Sequence, residues 1–390
     1  MAIVGAGPAG LLLGLALRAS GIDTIIVEHY ALEHVLGQVR AGVLEQGSAE
    51  TLTRLGLGER MAAEGLSSGG IFLQAAGRRH LVDFAALVNR RVTLYGQQEI
   101  VKDLVAAHDK AGSAIYYEAQ AVAVHDIEGP QPRLSFVHGG ESHEIAADFI
   151  VGADGAEGVC RRAIPRQAIS LADRPYPFAW LGIVADVAPS TDASIYALHD
   201  EGFALLAPQS RSVSRLYLQV EPHDLVADFS DTRIWQELQQ RLATPGWNLA
   251  EGPIISKVIT PMRSLVASRL SYGSLFLVGD AGHLLPPTGA KGLNAAISDV
   301  TILAAGLAAH YSGSDVRLAA YSGEALRRQW MMQQFAQWMT ELLHRTPPKS
   351  IAEAPAADFN YESQLARIEY IARSMPAQSS LAEQYTGLPF

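Results

Sequence analysis

Cysteine is nearly absent from this chain, Cys160 being the only one in 390 residues. A single thiol builds neither a disulfide framework nor a cysteine-rich metal site, and a reducing, cytoplasmic setting is the simplest expectation. Cys160 stands beside Arg161 and Arg162, cations that lower a thiol pKa, but no base accompanies it and it reads as structural. Excess positive charge is missing too. Lys and Arg total 30 against 40 Asp and Glu, a formal net charge of -10, and no basic run interrupts the balance. Neither nucleic acid nor an anionic membrane is therefore expected as a partner. The 12 histidines include no His-Glu-x-x-His and no other ligand spacing, so no metal is expected.

A long unbroken hydrophobic run is also lacking. Residues 1 to 17 carry no charged side chain, but Gly5, Gly7, Pro8, Gly10 and Gly14 punctuate them, no basic segment precedes them, and Arg18 ends them. That pattern argues against a signal peptide or membrane anchor, and no other stretch is expected to approach the same length. There are no repeats and no low-complexity linker. What is present, 48% apolar and 18% charged residues, fits a globular enzyme long enough for two or three units.

The chain starts with an apolar strand, Met1-Ala2-Ile3-Val4, followed by Gly5-Ala6-Gly7-Pro8-Ala9-Gly10 and an apolar helix from Leu11 to Leu17. This is the order of a dinucleotide-binding turn: Gly5 permits the turn, Gly7 admits a pyrophosphate, and Gly10 lets helix and sheet pack closely. Glu28 ends the next strand at the spacing where a carboxylate takes a ribose hydroxyl. A second signature begins at Leu275. An apolar strand ends in Gly279-Asp280, a proline pair follows, and Gly289 and Gly292 open a helix whose Leu293, Ala296, Ile297, Val300 and Ala304 recur at helical spacing. Asp280 suits sugar-like hydroxyls, while the two glycines expose backbone N–H groups and a positive helix end to a flat, electron-rich ring. A third run, from Ile145 to Gly155, reads as one buried strand that brings Asp154 and Gly155 to the same edge.

Alternating strands and helices in the first third predict a doubly wound parallel sheet. Strands are expected at 1 to 4 and 24 to 28, with helices from about Pro8, around 44 to 64, and after Gln97. The overall expectation is an α/β protein in three parts. Residues 1–174 form a Rossmann-like unit with a strand insertion near 69–93 that joins a second sheet. Residues 175–264 form that β-sheet substrate unit, and 265–390 a cofactor-contacting segment with a C-terminal helical region, helical to Pro347-Pro348 and again around Ser363 to Arg373. Gly65-Leu66-Ser67-Ser68-Gly69 matches the Gly-x-Ser-x-Gly of a nucleophile elbow, but with helix before and strand after, the reverse of an elbow. His283 reads as packed or capping.

Taken together, the first glycine turn, Asp154-Gly155 and Gly279-Asp280 resemble the three cofactor motifs of class A flavoprotein aromatic hydroxylases. The runs Arg40 to Gly47, Tyr95-Gly96-Gln97, Pro286 to Asn294 and Tyr385 to Pro389 narrow the resemblance to the para-hydroxybenzoate hydroxylase family, over essentially the whole chain. The resemblance implies noncovalent FAD held by Gly5, Gly7, Ala9, Gly10, Glu28, Gln38, Val39, Arg40, Ala41, Gly42, Val43, Gln97, Asp154, Asp280, Gly292, Leu293 and Asn294. It implies ortho hydroxylation of a phenol with O2 and NADH or NADPH, in which Tyr196 and Tyr385 deprotonate the substrate, with Pro287 and Ser68 beside them. Ser68 stands where the family has a relay histidine, so proton release is expected to be slower or routed through water.

The substrate would be lined by Tyr196, Ala207, Pro208, Gln209, Arg215, Tyr217, Pro287 and Thr288. The family grips a carboxylate with a serine and an arginine, and here Ala207 and Gln209 replace them. Arg211 could face the same side of a strand and compensate, and a neutral or longer para substituent remains open. So do a related hydroxylase of an uncharged aromatic, a flavoprotein that binds ligand without turnover, and a homodimeric assembly. No second glycine fingerprint follows a strand, so NAD(P)H is expected to dock transiently. His29, Tyr30, His34 and Gln38, with Glu33 among them, favour NADH at least as much as NADPH.

Overall fold

The computed structural model describes residues 1–38, 40, 42–346 and 350–388. Val39 and Ala41, both expected near the cofactor, lie outside the described residues. The first sheet has six strands in the order Ser271–Tyr272, Leu275–Leu277, Ile150–Gly152, Ala2–Val4, Ile25–Val27, Ala114–Tyr116. All its pairs are parallel except the antiparallel edge strand at 271–272. Its central strand and the helix Pro8–Ala19 form an apolar core with the helices Gln97–Ala111 and Gly292–Tyr311. Helices against a parallel sheet leave its strands buried on both sides, which is why Ala2, Ile3 and Val4 are all apolar and do not alternate.

The second sheet has eight strands, ordered His283–Leu284, Ile254–Ala267, Leu171–Ala185, Ser214–Val220, Ala204–Pro208, Ser194–Leu198, Gly70–Ala75 and Arg78–Asp83. Leu171–Ala185 and Ile254–Ala267 cross the 174/175 and 264/265 positions, so both expected boundaries fall inside strands of this sheet. One face of this sheet packs on the helix Asp231–Arg241. The other meets the C-terminal helices Val316–Leu343, Ala354–Arg373 and Met375–Thr386. The mixed α/β architecture with a C-terminal helical region is the one expected.

Several elements depart from expectation. Ile145 and Ala146 belong to an antiparallel three-stranded sheet with Gln120–His125 and Arg133–His138, so the buried strand begins only at Ile150. The helix around 44 to 64 is two helices, Gln46–Arg54 and Gly58–Glu64, with Gly56 at φ 82° between them. Val92–Leu94 leaves the expected insertion and joins a small sheet with Val43–Leu44 and Leu66–Ser68. Asp231–Arg241, inside the strand-rich block, was not anticipated, although Ser230 caps it and Ile234, Trp235 and Leu238 fall on one face. Among the described residues Gly292–Tyr311 is long and apolar enough to cross a bilayer, but it is a largely buried core helix.

Candidate active site

The glycine turn closes by contact. A Cβ on Gly10 would lie 1.9 Å from the Gly5 carbonyl oxygen, and one on Gly5, whose φ is 109°, would lie 2.3 Å from the Ala153 carbonyl oxygen. At Gly7 nothing lies within 4 Å, and the helix it begins has no side-chain cap. Gly7 thus fronts open space at a positive helix end, and Ala9 is buried within the first turn. Glu28 is buried beside the turn. Its Oε2 accepts from Ala6 N at 2.6 Å and its Oε1 from Tyr30 N at 2.9 Å, so each oxygen keeps lone-pair capacity for a further donor.

Gly292 repeats the arrangement at the other signature: nothing lies within 4 Å of its would-be Cβ, and the helix start lacks a side-chain cap. Gly289 does not face such space, because Ala336 Cα lies 3.0 Å from where its Cβ would be. Asn294 is buried with its side chain already used, Oδ1 accepting from Glu45 N at 2.9 Å and Nδ2 donating to Val43 O at 2.8 Å and Ala290 O at 2.9 Å. Only its backbone is left to face a ring, and Leu293 is half-buried against the first core. Gly42 is fixed by crowding, since a Cβ there would sit 1.7 Å from Tyr95 O. Tyr95 N and Gln97 N in turn donate to Gly42 O and Arg40 O. Exposed Arg40 reaches Asp280 at 3.4 Å.

Two open, uncapped helix starts, a carboxylate with spare acceptors and a surface Asp–Arg pair form a set that FAD fits. Asp154 departs from its expected part. Its Oδ2 accepts from Cys160 N at 2.8 Å and Oδ1 is buried with no hydrogen-bond partner among the described residues, while burial raises its pKa against the pull of the Cys160 N–H. The carboxylate therefore serves the turn at Cys160 and only its backbone adjoins Gly5.

At the second sheet, the Tyr196 hydroxyl lies 2.7 Å from that of Tyr385, and both side chains are buried. Burial pushes Tyr385 up to about 12 and Tyr196 well above the ordinary phenol value, so both stay neutral. Ser68 Oγ donates to Gly70 O at 3.0 Å, so its proton is committed to the start of the following strand, Gly70–Ala75. Pro287 is exposed, but the Thr288 side chain is fully buried with its hydroxyl accepting from that of Thr340 at 2.9 Å. Arg211 sits exposed in the hairpin turn after Ala204–Pro208, where strand alternation no longer applies, and does not compensate for Gln209. The buried cation of this face is Arg215. It pairs across the sheet with Ala207 and donates Nε to the Tyr217 hydroxyl. Pro208 is buried beside them and lacks an N–H.

Sequence reading missed two features. Lys291 is buried and ion-paired with Glu45, and its Nζ donates to Tyr385 O at 3.0 Å; burial lowers its pKa and Glu45 opposes that. A lysine within a glycine-rich run was the available signal, but its partner is 246 residues away. The other is an aromatic wall. Trp180 Nε1 donates to His344 Nε2 at 2.6 Å, His344 Nδ1 is 2.9 Å from Thr340 O, and Phe178 and Phe203 stack on the imidazole. His283, by contrast, is tied to Asp299 at 2.6 Å; burial opposes its charge but Asp299 outweighs that and raises its pKa.

The profile of a family described as "FAD binding domain" matches residues 1–336. A p-hydroxybenzoate hydroxylase of Acinetobacter baylyi is 42% identical, covering 100% of this chain and 95% of that one. The chain belongs to the p-hydroxybenzoate hydroxylase family. This hydroxylase is an FAD-dependent aromatic monooxygenase that uses NAD(P)H and O2. A 3-amino-4-hydroxybenzoate 2-monooxygenase of Streptomyces cremeus is 26% identical over 88% of this chain and 87% of its own. The solved p-nitrophenol 4-monooxygenase from Pseudomonas putida shares the fold at a TM-score of 0.80 and 17% identity, covering 100% and 98% of the two chains.

The wall of this hydroxylase has a pH signature. Its two hydrogen bonds require His344 neutral, with the proton on Nδ1, and burial lowers its pKa to about 3 from 6.5. The unfolded state then binds a proton that the folded state refuses, so stability falls as pH drops through 6.5 toward 3. His344→Gln should be less stable at neutral pH but lose stability more slowly on acidification, by up to about 1.4 kcal/mol per pH unit between about pH 6 and 4. Urea unfolding across that range measures it, and identical slopes for the two proteins would refute a buried neutral imidazole.

Proposed function

We propose that this hydroxylase adds oxygen ortho to the hydroxyl of a para-substituted phenol of the 4-hydroxybenzoate type. The observation that supports it is the pair of buried, neutral tyrosine hydroxyls 2.7 Å apart on the face of the eight-stranded sheet that meets the C-terminal helices. FAD would be held by the turn at Gly5, Gly7 and Gly10, by Glu28, by the Arg40–Asp280 pair and by the helix start at Gly292. When bound it supplies the redox chemistry, accepting reducing equivalents from NAD(P)H and activating O2.

The protein's part is to make the phenol electron-rich and to keep water away. A phenol donating to Tyr196 lets Tyr196 donate to Tyr385, so a proton leaves by hopping and neither tyrosine has to ionise. The buried ammonium of Lys291, 6.0 Å from the Tyr385 ring, favours negative charge developing on this relay. With Ser68 bonded to Gly70, we route the proton onward through water. The stacked wall of Trp180, Phe203 and His344 excludes solvent from the other side.

Three expectations follow from these roles. Gly7→Leu should fold yet lose flavin on gel filtration, because the new side chain occupies the open space in front of the first helix; stoichiometric flavin in that variant would remove the turn from the site. Tyr196→Phe should bind phenol but lose the hydrogen-bond acceptor, so product per NAD(P)H consumed should fall by roughly 10²-fold or more, the range for a lost proton-transfer group. Peroxide should replace the product, and coupling equal to the parent's would reduce Tyr196 to packing. For the donor, Tyr30 stacks on His34 at 4.1 Å, Gln38 lies 2.8 Å from His34, and Glu33 is exposed beside them. Among the described residues from His29 to Gln38 this surface offers a 2'-phosphate no fixed cation, so NADH should sustain turnover at least as fast as NADPH in parallel steady-state assays, and a strong NADPH preference would count against it.

A further inference from the structure

The sheet face that bears Tyr196 is ordered in rows. Tyr196 pairs with Leu205 and Leu205 with Tyr217, which makes one row, and Ala207 pairs with Arg215 two residues along. Gln209 comes two residues after Ala207, where its N donates to Val213 O at 3.1 Å to close the hairpin turn. A strand rises about 3.3 Å per residue, so each such step is about 7 Å. One benzene ring with its substituents therefore reaches from the Tyr196 hydroxyl toward the Ala207 and Gln209 end.

At that end the one buried cation, Arg215, is turned to Tyr217, and an unmet acceptor stands at Gln209. Ala207 has no hydroxyl. Arg215 donates Nε to the Tyr217 hydroxyl and lies 5.4 Å over that ring, so it acts through Tyr217, which keeps its own proton to give. Gln209 Oε1 is buried and has no hydrogen-bond partner among the described residues. A buried amide oxygen left unmet is unfavourable, and a ligand that supplies a donor relieves it. A carboxylate supplies acceptors only. An amide turned end for end would present its donor there, so the complement of Gln209 is a group able both to give and to accept a hydrogen bond.

We infer that the para substituent of the phenol is an uncharged group carrying both a donor and an acceptor, a primary carboxamide being the smallest, and that Gln209 selects it. This rests on the phenol-hydroxylase reading above and names its substrate class. A carboxamide N–H meets Gln209 Oε1, and its carbonyl accepts from the Gln209 amide or the Tyr217 hydroxyl.

The test measures dissociation constants of 4-hydroxybenzamide and 4-hydroxybenzoate with the holoenzyme near neutral pH, from the perturbed flavin spectrum. The parent should bind the amide about tenfold more tightly, the weight of one well-made neutral hydrogen bond. Gln209→Leu should bring the two within about twofold, and Gln209→Arg should reverse the order, because a guanidinium pairs bidentately with a carboxylate. Benzoate bound by the parent as tightly as the amide, or a preference that survives Gln209→Leu, overturns the inference. Tight binding and clean hydroxylation of 4-hydroxybenzoate would sink it while leaving the phenol-hydroxylase reading intact. Tight amide binding with every reducing equivalent ending as peroxide would do the opposite.

Discussion

One buried ammonium holds the active site in register. Lys291 joins Glu45, in the run from Arg40 to Gly47, to the carbonyl of Tyr385 at the far end of the chain, and immediately precedes the helix start at Gly292. A charge this deep is stable only when paired and fully hydrogen-bonded, and removing one partner of such a pair typically costs about 3–5 kcal/mol. The geometry of three remote segments therefore follows from satisfying one cation. Asn294 reinforces the same junction, bonding Val43, Glu45 and Ala290 at once. Arg90 donates to Gly387 O and keeps the last turn from fraying, so Tyr385 is presented to Tyr196 by a closed terminus.

The sheet face that meets the C-terminal helices divides by polarity. One side is apolar and neutral, with His344 holding Trp180 by a hydrogen bond that exists only while the imidazole is uncharged. The other offers few polar atoms, the Tyr196–Tyr385 pair and the Gln209 amide, which are the groups the proposed relay and substrate selection rest on. In a poorly solvated space a hydrogen bond is strong and an unmet one is unfavourable, so a few side chains suffice to orient a ring. Gly182 shows how tightly this is built: a Cβ there would lie 3.3 Å from the Tyr217 ring, close enough to press on the residue that bridges Arg215 to the substrate end.

What could be read early was whatever depends on backbone conformation over a few residues. The glycine turn, the strand ending at Asp280 and the helix opening at Gly292 are local demands, because a strained turn or an uncapped helix start admits few residue types. The departures have a common source. Asp154 looked like a ligand but satisfies the N–H of Cys160, and Thr288 and Asn294 face protein partners that no spacing reveals. Arg211 was placed by strand alternation that had already ended in a turn, while the cation that lies across from Ala207 is Arg215, brought there by the register between adjacent strands.

The sequence alone determined the family, the FAD and the class of reaction, because those are written in contiguous runs whose backbone geometry the cofactor requires. The tertiary structure alone decided which polar groups remain to be met. Lys291 finds Glu45 across 246 residues, Tyr196 finds Tyr385 across 189, and Gln209 Oε1 finds no donor among the described residues. Hydrogen bonds are made or left unmade in space and not along the chain, so the residues that set the relay and the substrate's far end became identifiable only once the strands were paired and the last helix was docked.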